Sequence, residues 1–208
     1  MHLVSLLVST VCMLAAGTHT DASGIEEGWQ HVTSGSTVKL AHSKSLARLT
    51  MPQVSYGTGS QQQAITAQAD ASLTKAFWLV ELHAEDSEPA RGSHIPCGAQ
   101  IRLVNSDSSH SLHSHSNHKS PISGGQEVSG YDGRDNGDLW TVECADKKAT
   151  TWRREAPVYL RHVDTKLYLQ SLPNKKYGHP ITGHQEVSAG KRADTNAQWM
   201  ALEGFYYR

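Results

Sequence analysis

The sequence lacks any concentration of charge of one sign. Its 208 residues include 19 Lys and Arg against 20 Asp and Glu, which gives a formal net charge of −1 at pH 7. The basic residues stand singly or in pairs such as Lys147-Lys148, whereas a nucleic-acid-binding surface requires a dense basic patch. We therefore expect no nucleic-acid partner.

The chain also lacks the short motifs of common catalytic and nucleotide-binding sites. No GxSxG, P-loop or GxGxxG motif occurs, so neither a serine nucleophile on a strained turn nor a phosphate-binding loop is indicated. The sequence predicts that the protein is not an enzyme, that it has no catalytic residues and that it holds no cofactor.

Cysteine is scarce, and one of the three cysteines lies in the N-terminal apolar run. That run, residues 3–16, is too short for a membrane span and predicts a cleavable signal peptide over residues 1–22; a buried N-terminal strand or helix is the alternative. Cleavage leaves Cys97 and Cys144, which are 47 residues apart and thus not a CxxC motif. In an oxidising compartment they predict one disulfide, with two buried free thiols as the alternative. No second apolar run of membrane-spanning length follows.

Three segments of the chain share one skeleton of leucine, glutamine and tryptophan. In each segment two leucines lie nine residues apart, the glutamine follows after 14 or 16 residues, and the tryptophan follows after a further 14 or 15. Such regular spacing is the signature of a repeat protein. We place the repeats at about residues 32–83, 94–145 and 154–205, after a linker at 23–31. The matched positions are Leu40, Leu103 and Leu160, then Gln63, Gln126 and Gln185, then Trp78, Trp140 and Trp199.

Each repeat has the pattern of short β-strands. Val38-Lys39-Leu40 and its two counterparts alternate apolar and polar residues, which indicates a half-buried strand. About four strands fit in a repeat of this length, and three such units must close on one another to bury their apolar faces. The sequence predicts an all-β fold, a β-trefoil with pseudo-threefold symmetry; a three-bladed propeller and a sandwich are the alternatives. The leucines and tryptophans are expected in a shared core, and the glutamines are expected to tether loop backbone.

Repeat two alone carries a run of histidines. His113 and His115 are two residues apart and on a strand face the same side, and His118 follows. A zinc or copper site is one interpretation; a polar face that binds backbone or a ligand is the other. Because neither a helical HExxH motif nor a paired cysteine accompanies the run, we predict that His113, His115 and His118 form a ligand-binding face without a metal.

Two glutamates at matching positions, Glu127 and Glu186, raise the alternative of a glycosidase, which uses two carboxyl groups about 5 to 10 Å apart. They occupy the same position in different repeats, so threefold symmetry would spread them around the molecule. A structural role is therefore predicted for both.

The second and third repeats resemble MIR motifs. The segments that carry the resemblance are GAQIRLVNSDSSHSLHSH, SPISGGQEVSGY and DLWTVEC in repeat two, and PVYLRHVDTKLYLQS, YGHPITGHQEVS and QWMALEG in repeat three. Three tandem motifs after a signal peptide resemble the stromal cell-derived factor 2 family, and the likeness extends over about residues 32–205.

This resemblance implies a β-trefoil in the lumen of the endoplasmic reticulum. It also implies a role in protein quality control, in association with a DnaJ-class co-chaperone, the lumenal Hsp70 and unfolded or O-mannosylated clients, without catalysis. Two features depart from the family. The chain ends at Tyr206-Tyr207-Arg208 instead of an HDEL-type signal, so retention through a partner, secretion or an incomplete C-terminus is expected. Ser34 also stands where relatives often have a cysteine.

A carbohydrate-binding module is the alternative function. Trefoils bind sugars in shallow pockets, one per repeat, and the ligand would be an O-mannosyl or another glycan. An enzyme that assists mannosyl transfer is disfavoured, because the chain lacks the membrane catalytic unit of such transferases.

Overall fold

The computed structural model of the protein describes residues 24–70, 72–84 and 89–208. The predicted signal peptide, at residues 1–22, lies outside these ranges. Repeat one contributes β1 (Thr37–His42), β2 (Arg48–Thr50), β3 (Gln63–Ala64), β4 (Thr66–Gln68) and β5 (Phe77–Leu82). Repeat two contributes β6 (Gln100–Asn105), β7 (Ser111–Lys119), β8 (Gln126–Tyr131) and β9 (Trp140–Cys144). Repeat three contributes β10 (Val158–His162), β11 (Tyr168–Lys176), β12 (Gln185–Gly190) and β13 (Gln198–Phe205).

Six strands, the first and last of each repeat, form a closed antiparallel barrel. Around the ring, β1 pairs with β5, β5 with β6, β6 with β9, β9 with β10, β10 with β13, and β13 with β1. Because the ring closes, none of these six strands is left with an unpaired edge.

The inner strands form three hairpins that cap one end of the barrel. The hairpins are β2–β4, β7–β8 and β11–β12, and they meet side by side through the pairs β12–β4, β12–β8 and β3–β8. A six-stranded barrel capped by a hairpin triplet is a β-trefoil, so the predicted fold is confirmed. Two short 3-10 helices, Thr74–Ala76 and Asn136–Asp138, precede β5 and β9. Among the described residues, the chain forms no helix with the length and apolar character to cross a membrane.

The core is built from the same residue of each repeat in turn. Leu40, Leu103 and Leu160 are completely buried, and so are Trp78, Trp140 and Trp199. Each indole N–H donates a hydrogen bond to the carbonyl of the second leucine of its own repeat, at 2.9 Å to Leu49, 2.8 Å to Leu112 and 2.9 Å to Leu169. The tryptophan therefore fills the core and also joins the last strand of a repeat to its second strand.

A disulfide joins the two ends of repeat two. Cys97 lies just before β6 and Cys144 ends β9, and their Cα atoms are 5.5 Å apart. The disulfide predicted from the two cysteines that remain after signal cleavage is therefore present.

Candidate functional site

The three histidines of the predicted ligand-binding face lie around one shallow recess. The recess has a volume of about 50 Å³ and lies where repeat two meets repeat one. Its lining combines β7, β8 and the hairpin loop of repeat one: His113, His115, His118, Glu127, Ser129, Ser60 and Gln62. Every one of these side chains can donate or accept a hydrogen bond, so the recess offers a polar surface to a ligand.

A bulge in β7 presents these histidines. Ser114 pairs with Val128 of β8, but the next pair is Lys119 with Gln126, so four residues of β7 stand opposite one residue of β8. Such a bulge bends the strand and re-aims its side chains. His113 precedes the bulge and is buried, whereas His115 lies within it and is exposed.

A buried carboxylate fixes the imidazole of His113. Its Nδ1 lies 2.9 Å from Oδ1 of Asp138, whose side chain is inaccessible to solvent. The other Asp138 oxygen accepts the backbone N–H of Asp135 at 2.9 Å, and Asp135 Oδ1 accepts the N–H of Gly137 at 2.7 Å. The two aspartates thus form a capping box around the 3-10 helix Asn136–Asp138. The sequence analysis missed both of them, although the spacing Asp135-x-x-Asp138 carries the signal.

The glutamines of the repeat connect neighbouring repeats. Gln126 Nε2 donates to Ser114 Oγ at 2.7 Å and to Thr165 Oγ1 of repeat three at 3.0 Å. Gln185 Oε1 accepts from Ser45 Oγ of repeat one at 3.0 Å. The partners in these contacts are hydroxyl groups, where the sequence analysis expected loop backbone, because a serine or threonine in each turn stands between the amide and the main chain.

The two glutamates hold hairpin loops. Glu186 is completely buried and accepts hydrogen bonds from Ser120 Oγ at 2.5 Å, Ile122 N at 2.7 Å and Ser123 N at 3.0 Å. Glu127 accepts from the backbone N–H of Ser60 at 3.3 Å. Each carboxylate therefore binds the hairpin loop of the repeat before it, which is a structural arrangement and leaves no pair of acids facing a common space.

The matching position in repeat one is Ala64, and a cleft opens there. By symmetry a carboxylate at this position would bind the hairpin loop of repeat three. Instead an apolar cleft of about 240 Å³ separates Ala64 from that loop, and its walls include Val54, Tyr56, Tyr177, Pro180 and Ile181. Burial raises the pKa of Tyr177 to about 12, so its hydroxyl stays neutral at physiological pH. The lining contains no Asp, Glu, Lys or Arg.

Comparisons with known proteins agree with this fold and repeat structure. The family model for the MIR domain matches residues 30–138. The human protein named stromal cell-derived factor 2-like protein 1 is 38% identical over 184 residues, which cover 87% of this chain and 80% of the relative. The crystal structure of the SDF2-like protein from Arabidopsis thaliana superimposes with a TM-score of 0.80 at 36% identity, covering 85% of this chain and 97% of that one.

A more distant structure shares the fold alone. Part of the S. cerevisiae protein O-mannosyltransferase complex bound to its sugar donor matches with a TM-score of 0.74 at 24% identity, over 88% of this chain and 28% of that one. The family match, the relative and the Arabidopsis structure show that the chain belongs to the stromal cell-derived factor 2-like family of MIR-domain proteins, a non-catalytic family.

Proposed function

We propose that the protein is a non-catalytic quality-control factor of the endoplasmic reticulum lumen or secretory pathway. In this role it binds a DnaJ-class co-chaperone together with the lumenal Hsp70, and it binds unfolded client polypeptides. Membership of the stromal cell-derived factor 2-like family supports this role. The disulfide between Cys97 and Cys144 supports the compartment, because disulfides persist in oxidising environments.

The apolar cleft beside Ala64 is the observation that carries client binding. A cleft of about 240 Å³ with an uncharged, mainly apolar lining accepts one or two apolar side chains. A charged ligand would lose its hydration there without gaining an ionic partner. Apolar side chains are buried in folded proteins and exposed in unfolded ones, so the cleft favours an unfolded polypeptide over a folded surface.

Affinity purification of the mature protein from its own cells, with mass spectrometry of the bound proteins, tests the role. Recovery of a DnaJ-class co-chaperone with the lumenal Hsp70 is the expected result. Recovery of neither, from cells that contain both, would contradict it. Binding of a permanently unfolded polypeptide, such as reduced and alkylated α-lactalbumin, tests the client surface separately.

Two isoleucines at equivalent loop positions provide matched variants for that second test. Ile181 lines the cleft, whereas Ile122 occupies the same place in the loop of repeat two and lies outside it. We expect Ile181→Lys to weaken binding of the unfolded polypeptide roughly tenfold or more, since an unpaired charge in an apolar site costs more than about 1.4 kcal/mol. Ile122→Lys should bind like the wild type. Equal affinities for the two variants would remove the cleft from the proposal.

Carbohydrate binding is the second candidate function. The polar recess of His113, His115 and His118 favours it, because sugar hydroxyls are recognised by side chains that both donate and accept hydrogen bonds. The occupant would be an O-mannosyl or another glycan. Binding on a glycan array that free sugar reverses, together with recovery of glycoproteins alone in the purification, would favour this function over the first.

A further inference from the structure

His113 is held as metal-binding histidines are held in proteins. A histidine that ligates a metal through one ring nitrogen usually donates the other N–H to a carboxylate, which fixes the tautomer and the direction of the ring. Asp138 is a carboxylate and accepts only, so Nδ1 of His113 carries the proton and Nε2 presents a lone pair. Among the described residues, none hydrogen-bonds to that Nε2. The ring is only 3% exposed, yet it forms part of the wall of the recess.

Two further ligand groups stand beside this ring. The His115 ring lies 5.4 Å from it, centroid to centroid, and projects from the same side of β7. Asp135 has a half-exposed side chain with Oδ1 at 3.6 Å from Nδ1 of His113. One nitrogen of each histidine and one oxygen of Asp135 all lie within 4.8 Å of one another.

We propose that His113, His115 and Asp135 bind a divalent transition-metal ion of the Zn²⁺ class, with Asp138 as the residue that positions His113. Two imidazoles and one carboxylate are a donor set that suits Zn²⁺ and Cu²⁺ better than Ca²⁺ or Mg²⁺, which prefer all-oxygen ligands. This proposal departs from the sequence prediction of no metal, which weighed the histidines without the carboxylates that the fold brings to them.

The required movement is small and falls on the mobile partners. Bonds of about 2.0–2.1 Å from Zn²⁺ to nitrogen or oxygen place tetrahedral ligand atoms roughly 3.4 Å apart. His115 and Asp135 are exposed and can rotate about their side-chain bonds to close the gap, while the buried His113 stays fixed. His118 lines the same recess and can supply the fourth ligand in place of water.

Calorimetric titration with Zn²⁺ alone, on mature protein free of any histidine tag, tests the proposal. We expect one site with a dissociation constant in the micromolar range and a rise of the thermal midpoint that a chelator reverses. Absence of binding at about 100 µM Zn²⁺, a concentration that corresponds to roughly 5 kcal/mol of binding free energy, would overturn the proposal.

Three variants separate this site from casual binding at surface histidines. His115→Ala removes an exposed ligand, so it should leave the metal-free thermal midpoint unchanged and weaken Zn²⁺ binding at least about tenfold. Asp135→Asn keeps a capping oxygen for Gly137 N but loses the carboxylate, and it should weaken binding to a similar degree. His179→Ala, at an exposed histidine in the loop of repeat three, should bind as the wild type does. Unchanged affinity in His115→Ala would overturn the proposal.

Discussion

At the scale of single residues, two histidines and one asparagine perform the same task in the three repeats. His42, Asn105 and His162 end the first strand of each repeat and are almost completely buried. Each donates a hydrogen bond to the carbonyl three residues before the repeat's tryptophan, at 3.0 Å to Asn196, 2.9 Å to Lys75 and 3.0 Å to Gly137. Since a carbonyl only accepts, Nε2 of each histidine carries the proton and the ring is neutral.

Burial gives these two histidines a predictable effect on stability. Desolvation lowers the pKa of both His42 and His162 below the ordinary value of 6.5. Below pH 6.5 the unfolded chain therefore binds more protons at these residues than the folded protein does, so stability falls as the pH drops from 6.5 through the folded-state values. Above 6.5 their contribution is fully present.

The variant His42→Asn/His162→Asn tests this effect, because it places in all three repeats the residue that repeat two already uses. We expect a shallower loss of stability than in the wild type when urea unfolding is measured between about pH 7.5 and pH 5. His179→Asn, at an exposed loop position, serves as the control and should keep the wild-type slope. A double variant with the wild-type pH dependence would show that other groups cause the loss.

This equivalence marks the limit of what residue identity reveals. The leucines and tryptophans of the repeat were recognisable in the sequence because a packed core accepts few alternatives to their shape. Histidine and asparagine differ in shape and share only a donor and an acceptor. A comparison by residue type therefore passes over positions that are matched by hydrogen bonding.

At the scale of elements, each repeat has the same tight turn between its first two strands. The fifth residue of the turn is in the left-handed region, with φ of 55° at Leu46, 62° at Ser109 and 61° at Lys166. Its backbone N–H donates to the carbonyl four residues earlier in every case. The conformation is required by the turn, and glycine adopts it at the least cost.

Leu46→Gly is therefore expected to stabilise the protein by roughly 0.5–1 kcal/mol. Leu46 is 53% exposed, so little packing is lost with its side chain. Urea unfolding measures the difference. Leu46→Ala removes the exposed leucine but retains the Cβ, and should gain little; equal gains from the two variants would assign the effect to the apolar surface instead of the backbone.

The carboxylate that binds a neighbouring hairpin loop leads to a second prediction at this scale. Glu186→Gln places an amide NH₂ group where the side chain receives hydrogen bonds from Ser120, Ile122 and Ser123. Because these bonds to a buried charged acceptor are strong, we expect a loss of about 2–3 kcal/mol in the free energy of unfolding. Glu127→Gln, where one loop N–H is bound at 3.3 Å, should lose less. Equal losses would contradict this account.

The sequence predicted the existence of these elements better than their pairing. Alternation around Leu40, Leu103 and Leu160 indicated the first strands, but the partners of a strand lie in other repeats and leave no mark on its own pattern. The bulge in β7 is similar. Four polar residues between Ser114 and Lys119 do not distinguish a bulge from a continued strand, yet this bulge exposes His115.

At the scale of the whole molecule, both clefts of interest lie between repeats. The histidine recess combines repeats one and two, and the apolar cleft combines repeats one and three. Repeat one is the divergent copy in both cases, since Ala64 replaces the glutamate of its partners and its second strand has three residues against nine in β7 and β11. Departure from threefold symmetry thus creates the specialised surfaces, which no single repeat could predict.

The disulfide acts at the same scale, because it closes a loop that contains all four strands of repeat two. Cys97 and Cys144 are separated by 47 residues, and a cross-link over a loop of this length lowers the conformational entropy of the unfolded chain by up to about 4 kcal/mol at 25 °C. Cys97→Ala/Cys144→Ala removes the bond without leaving a reactive thiol. We expect it to lower the free energy of unfolding by about 2–4 kcal/mol and to preserve the fold, since the barrel pairs β6–β9 and β9–β10 do not depend on the bond.

Urea unfolding of the oxidised wild type, the reduced wild type and the double variant measures this loss. Reduction should bring the wild type to the stability of the variant, because each then lacks the same constraint. Peptide mapping without reduction verifies that the oxidised sample carries the Cys97–Cys144 bond. If the variant is as stable as the oxidised wild type, the unfolded chain is already compact enough that the cross-link restricts it no further, and the stability of the trefoil then comes from its shared core alone.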